Sequence, residues 1–409
     1  MSTWLIPLEE MTQEQLRAIE LGPQENRVIF GPPGSGKTQV LLHRAKYLCD
    51  TWNIPPDRFH VFVYTNVLKD YIKSALDMLD LPHDCVSTLD SWCNSYYKEH
   101  IGRIPMIQVG KRCVPDFPAI RMGVLGNLTN EFPGKFFFDF VLVDEGQDLG
   151  GVSFDLLKSA AKHVSVCLDN KQQVYENGSG EKEILKRLGL RKRNIYLLGA
   201  YRCCPYIISL ARQFISDPQE RQTLTRQAKT YQAEKQTPLL YYASDFADEK
   251  RRLIEILRVS LMRGEKIGLI FPQRRLVYGF AKGLKEAGID VETMNNLNFT
   301  NGLPKLLTYQ SAKGLTFDTV LMPGLIQKYF AKVDDQRVKR LLFVGITRAT
   351  KWVYMSTQTG RELKALEDLK PLEAQGVLTI QTSFADKLPV QEEQEVDSAD
   401  EQEDILDLL

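Results

Sequence analysis

The chain is predicted to have an α/β fold with two lobes, each built on a parallel sheet, and three observations support this. Short apolar runs alternate with segments of helical periodicity, which favours parallel strands covered by helices on both faces. The alternation stops in a stretch rich in Gln, Arg and Lys near residues 215–237 and starts again at Leu239. A length of 409 residues, 43% hydrophobic and 25% charged, is typical of a globular chain with two or three domains.

The first lobe is predicted to span residues 1–215, with a short insertion near 95–137. A helix is expected over 8–21, with Thr12 as its N-cap, and an amphipathic helix over 67–80. A further helix continues to about Cys49 after a glycine-rich segment. The strands are predicted at RVIF (27–30), HVFVYT (60–65), FDFVLVDE (138–145), VSVCLD (164–169) and IYLL (195–198).

The second lobe is predicted to span residues 216–385, with helices around 247–263 and 274–287. Its strands are predicted at LLYYAS (239–244), KIGLIFP (266–272), LLTYQ (306–310), DTVLMPG (318–324) and KWVYMS (351–356). Residues 386–409 form an acidic tail that is expected to be disordered, since it is polar and highly charged.

The net charge of zero conceals an uneven distribution. Residues 391–409 contain nine acidic side chains and no basic one, so residues 1–390 have a net charge of +9 (0 minus −9). A basic body suits a polyanionic partner, although +9 over 390 residues is also compatible with ordinary surface charge. The acidic tail, which ends in DILDLL, is a candidate docking segment for a protein partner or a mimic of phosphates.

Membrane, secreted and zinc-binding classes are disfavoured by the sequence. No run approaches the roughly 18 apolar residues of a spanning helix. The N-terminus lacks a basic start followed by a cleavage site, so the protein is expected to be cytoplasmic. The seven cysteines form no C-x-x-C pair and are expected to be reduced thiols.

A phosphate-binding loop is predicted at GPPGSGKT (31–38), which fits the pattern G-x-x-x-x-G-K-[ST]. It lies between a predicted strand and a predicted helix, which is the order that such a loop requires. The loop backbone at Gly31, Gly34, Ser35 and Gly36 would surround the phosphates of ATP. In this motif the lysine bridges the β- and γ-phosphates and the next hydroxyl ligates Mg²⁺. Lys37 and Thr38 occupy these two positions.

An acidic pair, Asp144-Glu145, follows the apolar run at 138–143. Asp144 is expected to hold Mg²⁺ through water at the carboxyl end of the strand. Glu145 is expected to orient and deprotonate the attacking water. A second carboxylate at this position favours hydrolysis over transfer to a hydroxyl acceptor.

The motifs of the first lobe resemble those of the UvrD/Rep/PcrA group of superfamily-1 helicases, most clearly at VDEGQD (143–148). The resemblance implies two RecA-like lobes with ATP in the cleft between them. MTQEQLRAI resembles the adenine-recognition segment, with Gln15 as base reader. LDNKQQVY (168–175) and AYRCCPYI (200–207) resemble two further ATP-site motifs. The resemblance implies that Gln172 and Arg202 act at the γ-phosphate and that Tyr201 stacks on adenine.

The remaining motifs that carry the resemblance lie in both lobes. YTNV (64–67) and STLDSW (87–92) resemble the strand-contact motifs of the first lobe. TYQSAKGLTFD (308–318) and VGITRAT (344–350) resemble two motifs of the second lobe, which makes Gly314 a nucleotide contact and Arg348 an arginine finger. The implied candidates for contact with nucleic acid are Tyr64, Thr65, Asn66, Trp92, Thr308 and Ser311. For Tyr64 and Trp92 the alternative is packing in the core.

The sequence departs from the family pattern in ways that bear on unwinding. Only 22 positions separate Ile289 from Ser311, where larger relatives insert a whole subdomain. ENGSG (176–180) stands where the family usually has an aromatic residue and an arginine that grip the strand. Gln310 and Thr316 replace a common histidine and glutamate, and Gln39 replaces a common arginine. ATP hydrolysis is expected to survive these changes better than processive unwinding.

Two functions of different classes therefore remain open. The first is a helicase or translocase that hydrolyses ATP and acts on single-stranded DNA with 3′→5′ polarity, with RNA as the alternative track. The second is an ATPase switch that senses nucleic acid as a subunit of a repair or anti-phage defence complex. A small-molecule kinase is disfavoured by VGITRA, because the arginine motif of the second lobe has no role there.

Overall fold

The chain forms two compact units, residues 1–199 and 200–409. The computed structural model describes residues 4–32, 34–110, 112–169, 180–191, 195–197, 204–218, 221–222, 224 and 236–383, and the backbone of 200–201 and 229–230. Each unit contains one large parallel sheet, so the predicted two-lobed α/β fold is confirmed. The helix at Pro205–Ala211 belongs to the second unit, whereas the boundary predicted from the sequence falls after residue 215.

The first unit is built on a six-stranded sheet in which all neighbouring strands are parallel. The strands of this unit are β1 (Arg27–Phe30), β2 (Phe59–Val63), β3 (Val86–Thr88), β4 (Met106–Val109), β5 (Arg112–Pro115), β6 (Phe138–Val143), β7 (Ala161–Leu168) and β8 (Ile195–Tyr196). The sheet order is β3-β2-β6-β7-β1-β8, so β7 separates β1 from β6. The carboxyl ends of β1, β6 and β7 therefore lie at one edge, where the phosphate loop and the acidic pair begin.

Helices cover the sheet of the first unit, and most begin at a polar N-cap. They are α1 (Gln13–Glu20), α2 (Lys37–Trp52), α3 (Asn66–Leu76), α4 (Leu89–His100), α5 (Phe117–Asn130), α6 (Gly151–Ala160) and α7 (Glu181–Arg187). Thr12, Thr65, Thr88 and Asp116 accept a backbone N–H at the starts of α1, α3, α4 and α5. The apolar faces of α4 and α5 pack with Val141, Val164 and their neighbours in one core cluster.

A hairpin that the sequence did not predict lies inside the expected insertion. Strands β4 and β5 pair antiparallel and form a separate two-stranded sheet. All four residues of β4 are exposed, which includes the apolar side chains of Met106, Ile107 and Val109. Because this pair lacks the apolar alternation of a half-buried strand, periodicity gave no signal for it.

The second unit is built on a seven-stranded sheet in which all neighbouring strands are parallel. Its strands are β9 (Ala200–Tyr201), β10 (Lys229–Thr230), β11 (Leu239–Ala243), β12 (Ile267–Phe271), β13 (Glu292–Thr293), β14 (Lys305–Thr308), β15 (Phe317–Met322), β16 (Ala349–Gln358) and β17 (Thr379–Thr382). The large sheet has the order β13-β14-β12-β15-β16-β11-β17, while β9 and β10 pair separately. The five strands predicted from the sequence are its buried centre, and the two it missed are the edges.

The helices of the second unit pack on this sheet. They are α8 (Pro205–Ala211), α9 (Phe246–Met262), α10 (Arg274–Glu286), α11 (Asp335–Ile346) and α12 (Pro371–Ala374). A fully buried carboxylate, Glu249, accepts hydrogen bonds from Gly324 N, Ser356 Oγ and Gln358 Nε2 and so joins α9 to the sheet. The acidic tail at 386–409 lies outside the described residues. Within the described residues, no helix is long and apolar enough to cross a bilayer.

Candidate functional site

The phosphate loop runs from the end of β1 to the start of α2, as the sequence predicts. Gly34 and Gly36 have φ values of 73° and 81°, which non-glycine residues rarely adopt. A Cβ on Gly36 would lie 2.4 Å from Gln15 Nε2, so an alanine here would displace the amide that binds Ser35 O. The first turn of α2 presents unpaired backbone N–H groups at the end of this loop, which is a ready-made binding site for anions.

The ammonium of Lys37 is buried inside the loop and is satisfied there. Its Nζ lies 2.9 Å from Gly31 O, 3.1 Å from Pro32 O and 3.5 Å from Asp169 Oδ2. Asp169 is the anionic partner among these three, and at 3.5 Å it is the most distant of them. A phosphate oxygen can therefore replace the carbonyls as a partner without leaving a buried group unpaired.

Thr38 and Asp144 meet across the carboxyl edge of the sheet. Thr38 Oγ1 donates a hydrogen bond of 2.6 Å to Asp144 Oδ2, although 106 positions separate the two residues. Burial and the neighbouring Glu145 carboxylate raise the pKa of Asp144 to about 6, while Thr38 and Lys37 act in the opposite direction. A nearby cation would offset this cost, so the pair has the chemistry of a ligand set for a hard metal ion.

Glu145 has an unusual backbone and a fixed side chain. Its φ of 54° lies in the left-handed region, which costs free energy for a residue with a Cβ. Gln147 Nε2 donates to Glu145 Oε2 at 2.5 Å, and Gln147 Oε1 accepts from Asp169 N at 2.9 Å. Gln147 thus links the carboxylate of Glu145 to the residue that also contacts Lys37.

Gln15 joins helix α1 to the phosphate loop. Its Oε1 accepts from Thr12 N and its backbone N–H donates to Thr12 Oγ1, which forms a capping box. Its Nε2 donates to Ser35 O at 2.9 Å. The residue expected to read adenine therefore touches the loop expected to hold the phosphates.

The side chains at this edge fit a nucleotide with Mg²⁺. Ser35 Oγ is buried and has no hydrogen-bond partner among the described residues, so a donor and acceptor inside the loop are available. Thr38 and Asp144 supply oxygen atoms, the ligand type that Mg²⁺ prefers. Within the described residues no three His, Cys, Asp or Glu side chains gather to bind a metal, so phosphates and water would complete the coordination.

Three functional positions were missed by reasoning from the sequence. Asp169 falls in a predicted strand, and Gln147 lies in VDEGQD, where the sequence predicts no separate role for it. Arg44, in the middle of α2, gave no signal because a single arginine in a helix is usually exposed. Their roles depend on contacts between residues that are far apart in the chain, so only the tertiary structure reveals them.

In the second unit the residues expected to act on the nucleotide lie near the start of β15 and the end of α11. Gly314 has a φ of 78°. Arg348 is buried, with Nε on Val344 O at 3.1 Å, Nη1 on Leu315 O at 3.3 Å and Nη2 on Thr347 Oγ1 at 3.2 Å. The guanidinium is therefore held beside the Gly314 turn by two backbone carbonyls and one hydroxyl.

The second-unit candidates for strand contact form one small cluster. Thr308 Oγ1 donates to Ser311 Oγ at 3.1 Å and accepts from Ser311 N at 3.3 Å. Gln310, between them, is buried, and neither its Oε1 nor its Nε2 has a partner among the described residues. Buried amides are normally paired, so this glutamine provides two unused polar atoms next to the two hydroxyls.

The first-unit candidates for strand contact have structural roles in the described residues. Thr65 caps α3 by accepting from Leu68 N, and Asn66 is exposed and accepts from Lys69 Nζ. Trp92 packs on Phe62 and Tyr96 with ring centroids 5.9 and 5.3 Å apart, and Tyr64 is half-buried against the same core. Base stacking by either aromatic ring remains a prediction.

Three of the predicted site residues lie wholly or partly outside the described residues. Gln172 and Arg202 lie outside the described residues. Tyr201 is described only as backbone in β9, so its side chain is also outside. The ENGSG segment is outside as well, except for Gly180.

Two family models match this chain, one in each unit. The N-terminal domain of the UvrD/REP helicases matches residues 11–120, which include Gln15 and the phosphate loop. The C-terminal domain of the UvrD-like helicases matches residues 305–356, which include Gly314 and Arg348. The chain is related to the UvrD-like helicases. The resemblance predicted from the motifs is confirmed.

Individual relatives of this UvrD-like chain are distant. A candidate DNA helicase of Mycoplasma pneumoniae is 24% identical over 237 residues, which are 53% of this chain and 43% of that protein. A candidate ATP-dependent DNA helicase of Acanthamoeba polyphaga mimivirus is 20% identical over 385 residues, or 86% of this chain and 54% of that protein. The chain thus spans about half the length of these curated relatives.

Among solved structures, the C-terminal domain of a candidate DNA helicase from Lactobacillus plantarum WCFS1 is similar to part of the UvrD-like chain. It is 16% identical with a TM-score of 0.35, and the match covers 44% of this chain and 98% of that one.

Proposed function

We propose that this UvrD-like chain is an ATPase dependent on nucleic acid, which hydrolyses ATP to ADP and phosphate with Mg²⁺ and moves 3′→5′ on single-stranded DNA. The family models support helicase-type chemistry, and the geometry of the first unit supports the ATPase. The single observation that carries the proposal is the 2.6 Å hydrogen bond between Thr38 Oγ1 and Asp144 Oδ2. It unites the phosphate loop with the acidic pair, which are the two halves of a nucleotide-hydrolysing site.

The residues of the first unit have complementary tasks in this proposal. Lys37 and the N–H groups at the start of α2 bind the β- and γ-phosphates. Thr38 and Asp144 would hold Mg²⁺, which would supply further positive charge at the phosphates. Glu145, oriented by Gln147, accepts a proton from the attacking water. Gln15 supplies the remaining amide hydrogen of its Nε2 to the base.

We assign to Arg348 the stabilisation of charge on the γ-phosphate. Its side chain is already ordered by Val344 O, Leu315 O and Thr347 Oγ1, so little conformational entropy is lost when it acts. Gln172, Arg202, Tyr201 and Gly314 complete the proposed set on the basis of the resemblance.

The strand is proposed to contact Thr308, Ser311 and the polar amide of Gln310 in the second unit, and the Tyr64–Asn66 segment and Trp92 in the first. The two hydroxyls and the amide can donate to phosphate oxygens, which supplies affinity without sequence preference. A net charge of +9 over residues 1–390 favours the same polyanionic track.

The test is the steady-state rate of ATP hydrolysis with and without single-stranded DNA and RNA, for the full chain and for Lys37→Ala. The proposal expects strong stimulation by DNA that is lost in Lys37→Ala, because the loop then has no cation for the γ-phosphate. Stimulation by RNA alone would show that the chain acts on RNA instead of DNA and would leave the proposed ATP-driven movement unchanged. A rate that ignores both polymers would rule out the helicase assignment.

A second candidate function, an ATPase switch that answers to a partner protein, is favoured by one observation. Between β13 and β14, where larger relatives insert a subdomain, the chain forms a short closed loop. Lys305 Nζ and Glu292 Oε2 form a buried ion pair of 2.7 Å, and Asn301 bonds to both side chains. An assay of ATP-driven movement along single-stranded DNA separates the candidates, since the switch hydrolyses ATP without moving on the strand.

A further inference from the structure

Arg44 is the largest fully buried side chain of the protein's described residues. It lies in α2, seven residues after Lys37, which is two helical turns or about 10.5 Å further along the axis. Burial and, to a lesser degree, Arg27 lower the pKa of its guanidinium to about 10, so the group is charged at neutral pH. An isolated buried charge is costly, and a functional or structural reason is needed for its presence.

The partners of Arg44 explain how the charge is tolerated. Nη1 donates to three carbonyl oxygens at the end of α1, those of Ala18, Ile19 and Leu21, at 3.3, 2.9 and 2.5 Å. These carbonyls have no partner within a helix that ends at Glu20, and they lie at the negative end of its dipole. The guanidinium therefore acts as a C-terminal cap supplied by another helix.

The other side of the guanidinium is attached to the sheet. Nε donates to Ser165 Oγ at 3.0 Å, and Nη2 lies 3.1 Å from His163 Nε2. Burial and the neighbouring Arg44 charge lower the pKa of His163 to about 3, so this imidazole is neutral and its Nε2 can accept. Both residues are in β7, whose end leads to Asp169, the carboxylate beside Lys37.

Helix α1 is thus held at its N-terminal end by the phosphate loop and at its C-terminal end by α2. At its N-terminus Gln15 Nε2 binds Ser35 O, and at its C-terminus the three carbonyls bind Arg44 on the helix that carries Lys37 and Thr38. If the C-terminal fastening is lost, α1 can shift relative to the loop. The distance between the adenine-reading amide and the phosphate cradle would then no longer be fixed.

We propose that Arg44 is a positioning residue that sets the nucleotide-base selectivity of the site by holding α1 at a fixed distance from the phosphate loop. The inference rests on the proposed ATPase function and on Gln15 as base reader. Arg44 itself touches neither base nor phosphate. Its removal should therefore raise KM for ATP and weaken the preference for ATP over GTP, while kcat at saturation changes little.

The experiment measures kcat and KM of the full chain for ATP and for GTP, with stimulating polymer, in wild type, Arg44→Met and Arg44→Lys. We expect Arg44→Met to raise KM for ATP by about tenfold, which corresponds to the free energy of one charge-assisted hydrogen bond. The ratio of kcat/KM for ATP to kcat/KM for GTP should fall by a similar factor. Arg44→Lys should fall between the two, because an ammonium can still bind one or two of the carbonyls.

Arg58 provides the matched control. It also binds two backbone carbonyls, those of Phe136 and Phe137, together with the carboxylate of Asp139, and these three partners lie in the same unit but outside α1 and α2. The Arg58→Met protein should be less stable than the wild type, but its ratio of kcat/KM for ATP to kcat/KM for GTP should be unchanged. If Arg44→Met does not fold, Arg44→Lys alone decides, and a wild-type ratio in that variant would overturn the inference.

A double-mutant cycle with Gln15→Ala separates positioning from a general loss of structure. If Arg44 acts through Gln15, Arg44→Lys should have no further effect on the ATP/GTP ratio in the Gln15→Ala background. Additive effects, or a fall in kcat at constant KM, would contradict the inference while leaving the ATPase intact. If the wild type hydrolysed ATP no faster than Lys37→Ala, the proposed function would instead be overturned, and the role of Arg44 with it.

Discussion

Two adjacent carboxylates in the first unit have different surroundings and therefore suit different tasks. Asp144 receives hydrogen bonds from Thr38 Oγ1 and from Glu145 N, which fix it as an acceptor facing the phosphate loop. Glu145 receives a hydrogen bond from Gln147, which leaves its carboxylate oriented by a neutral amide. A hydrogen bond from an amide orients the carboxylate without adding a charge, which suits a group that must take up a proton.

The substitution Glu145→Gln tests whether this carboxylate accepts a proton. The amide has nearly the same shape but cannot accept a proton, so we expect kcat for ATP hydrolysis to fall by about 10²–10⁴-fold. Nucleotide affinity should be retained, since Lys37 and the loop are unchanged. Single-turnover hydrolysis together with titration of a fluorescent ATP analogue checks both statements.

Glu131→Gln is the control for that substitution, because Glu131 is an exposed glutamate in the same unit at the end of α5. It should keep the wild-type rate. A Glu145→Gln protein that retains more than about a tenth of the wild-type kcat would show that another group accepts the proton.

A second residue, His60, makes the stability of the first unit depend on pH. His60 is buried in β2, 2.8 Å from Ser87 Oγ and between the rings of Phe62 and Phe138. Burial lowers its pKa to about 4. Between pH 6.5 and 4 the unfolded chain therefore binds a proton that folded His60 does not, so the unit loses stability as the pH falls through this window.

His60→Gln should reduce this loss by up to about 2–3 kcal/mol between pH 6.5 and 4, because the amide can still bond to Ser87 but does not titrate. Urea unfolding followed by tryptophan fluorescence measures it, since three of the four tryptophans (4, 52 and 92) are in the first unit. The exposed His83→Gln serves as control. An equal pH dependence in wild type and His60→Gln would refute the argument.

At the scale of elements, the turn after β6 is shaped by close packing on β7. Glu145 has left-handed backbone, and the next residue, Gly146, leads into a short 3₁₀ turn over Gly146–Asp148. A Cβ on Gly146 would lie 2.3 Å from Val166 Cγ1 and 2.9 Å from Leu168 Cδ2. The glycine therefore lets the turn that carries Glu145 and Gln147 lie directly on β7.

Gly146→Ala should displace this turn. We expect a loss of about 1–3 kcal/mol of stability from overpacking and a reduced kcat, because Glu145 moves with the turn. Urea unfolding and the ATPase rate are the two measurements. Gly126→Ala is the matched control: it lies inside α5 with nothing within 4 Å of the added Cβ and should gain about 0.5–1 kcal/mol. Equal effects of the two substitutions would contradict the packing argument.

At the scale of the whole molecule, charge is the property that bears on the track. The nine carboxylates of residues 391–409 cancel a net charge of +9 on the rest of the chain. A polyanionic segment joined to a basic body would compete with other polyanions for the same surface. The competition is electrostatic, so it weakens as salt rises.

Deletion of residues 391–409 should raise the affinity for single-stranded DNA by roughly three- to tenfold at low salt, with the difference lost at high salt. Fluorescence anisotropy across a salt series measures this. A full-length variant with all nine carboxylates changed to amides separates charge from length and should behave like the deletion. An affinity that deletion leaves unchanged at low salt would remove the idea of a phosphate mimic.

The sequence by itself determined the fold class, the buried strands and the position of the candidate phosphate loop. These follow from local patterns: apolar runs at β1, β6 and β12, and a loop motif whose glycines are required by backbone geometry at Gly36. The motifs also predicted the relation to UvrD-like helicases, which family models confirm in both units.

Only the tertiary structure decided what each polar side chain contacts. The hairpin at β4–β5 and the edge strand β17 lack apolar alternation, so no periodic signal marked them. Arg44 binds carbonyls more than 20 positions away, and Gln147 reaches Asp169 through the packing of one strand end on another. Such pairings depend on sheet order and helix packing, which no local pattern encodes.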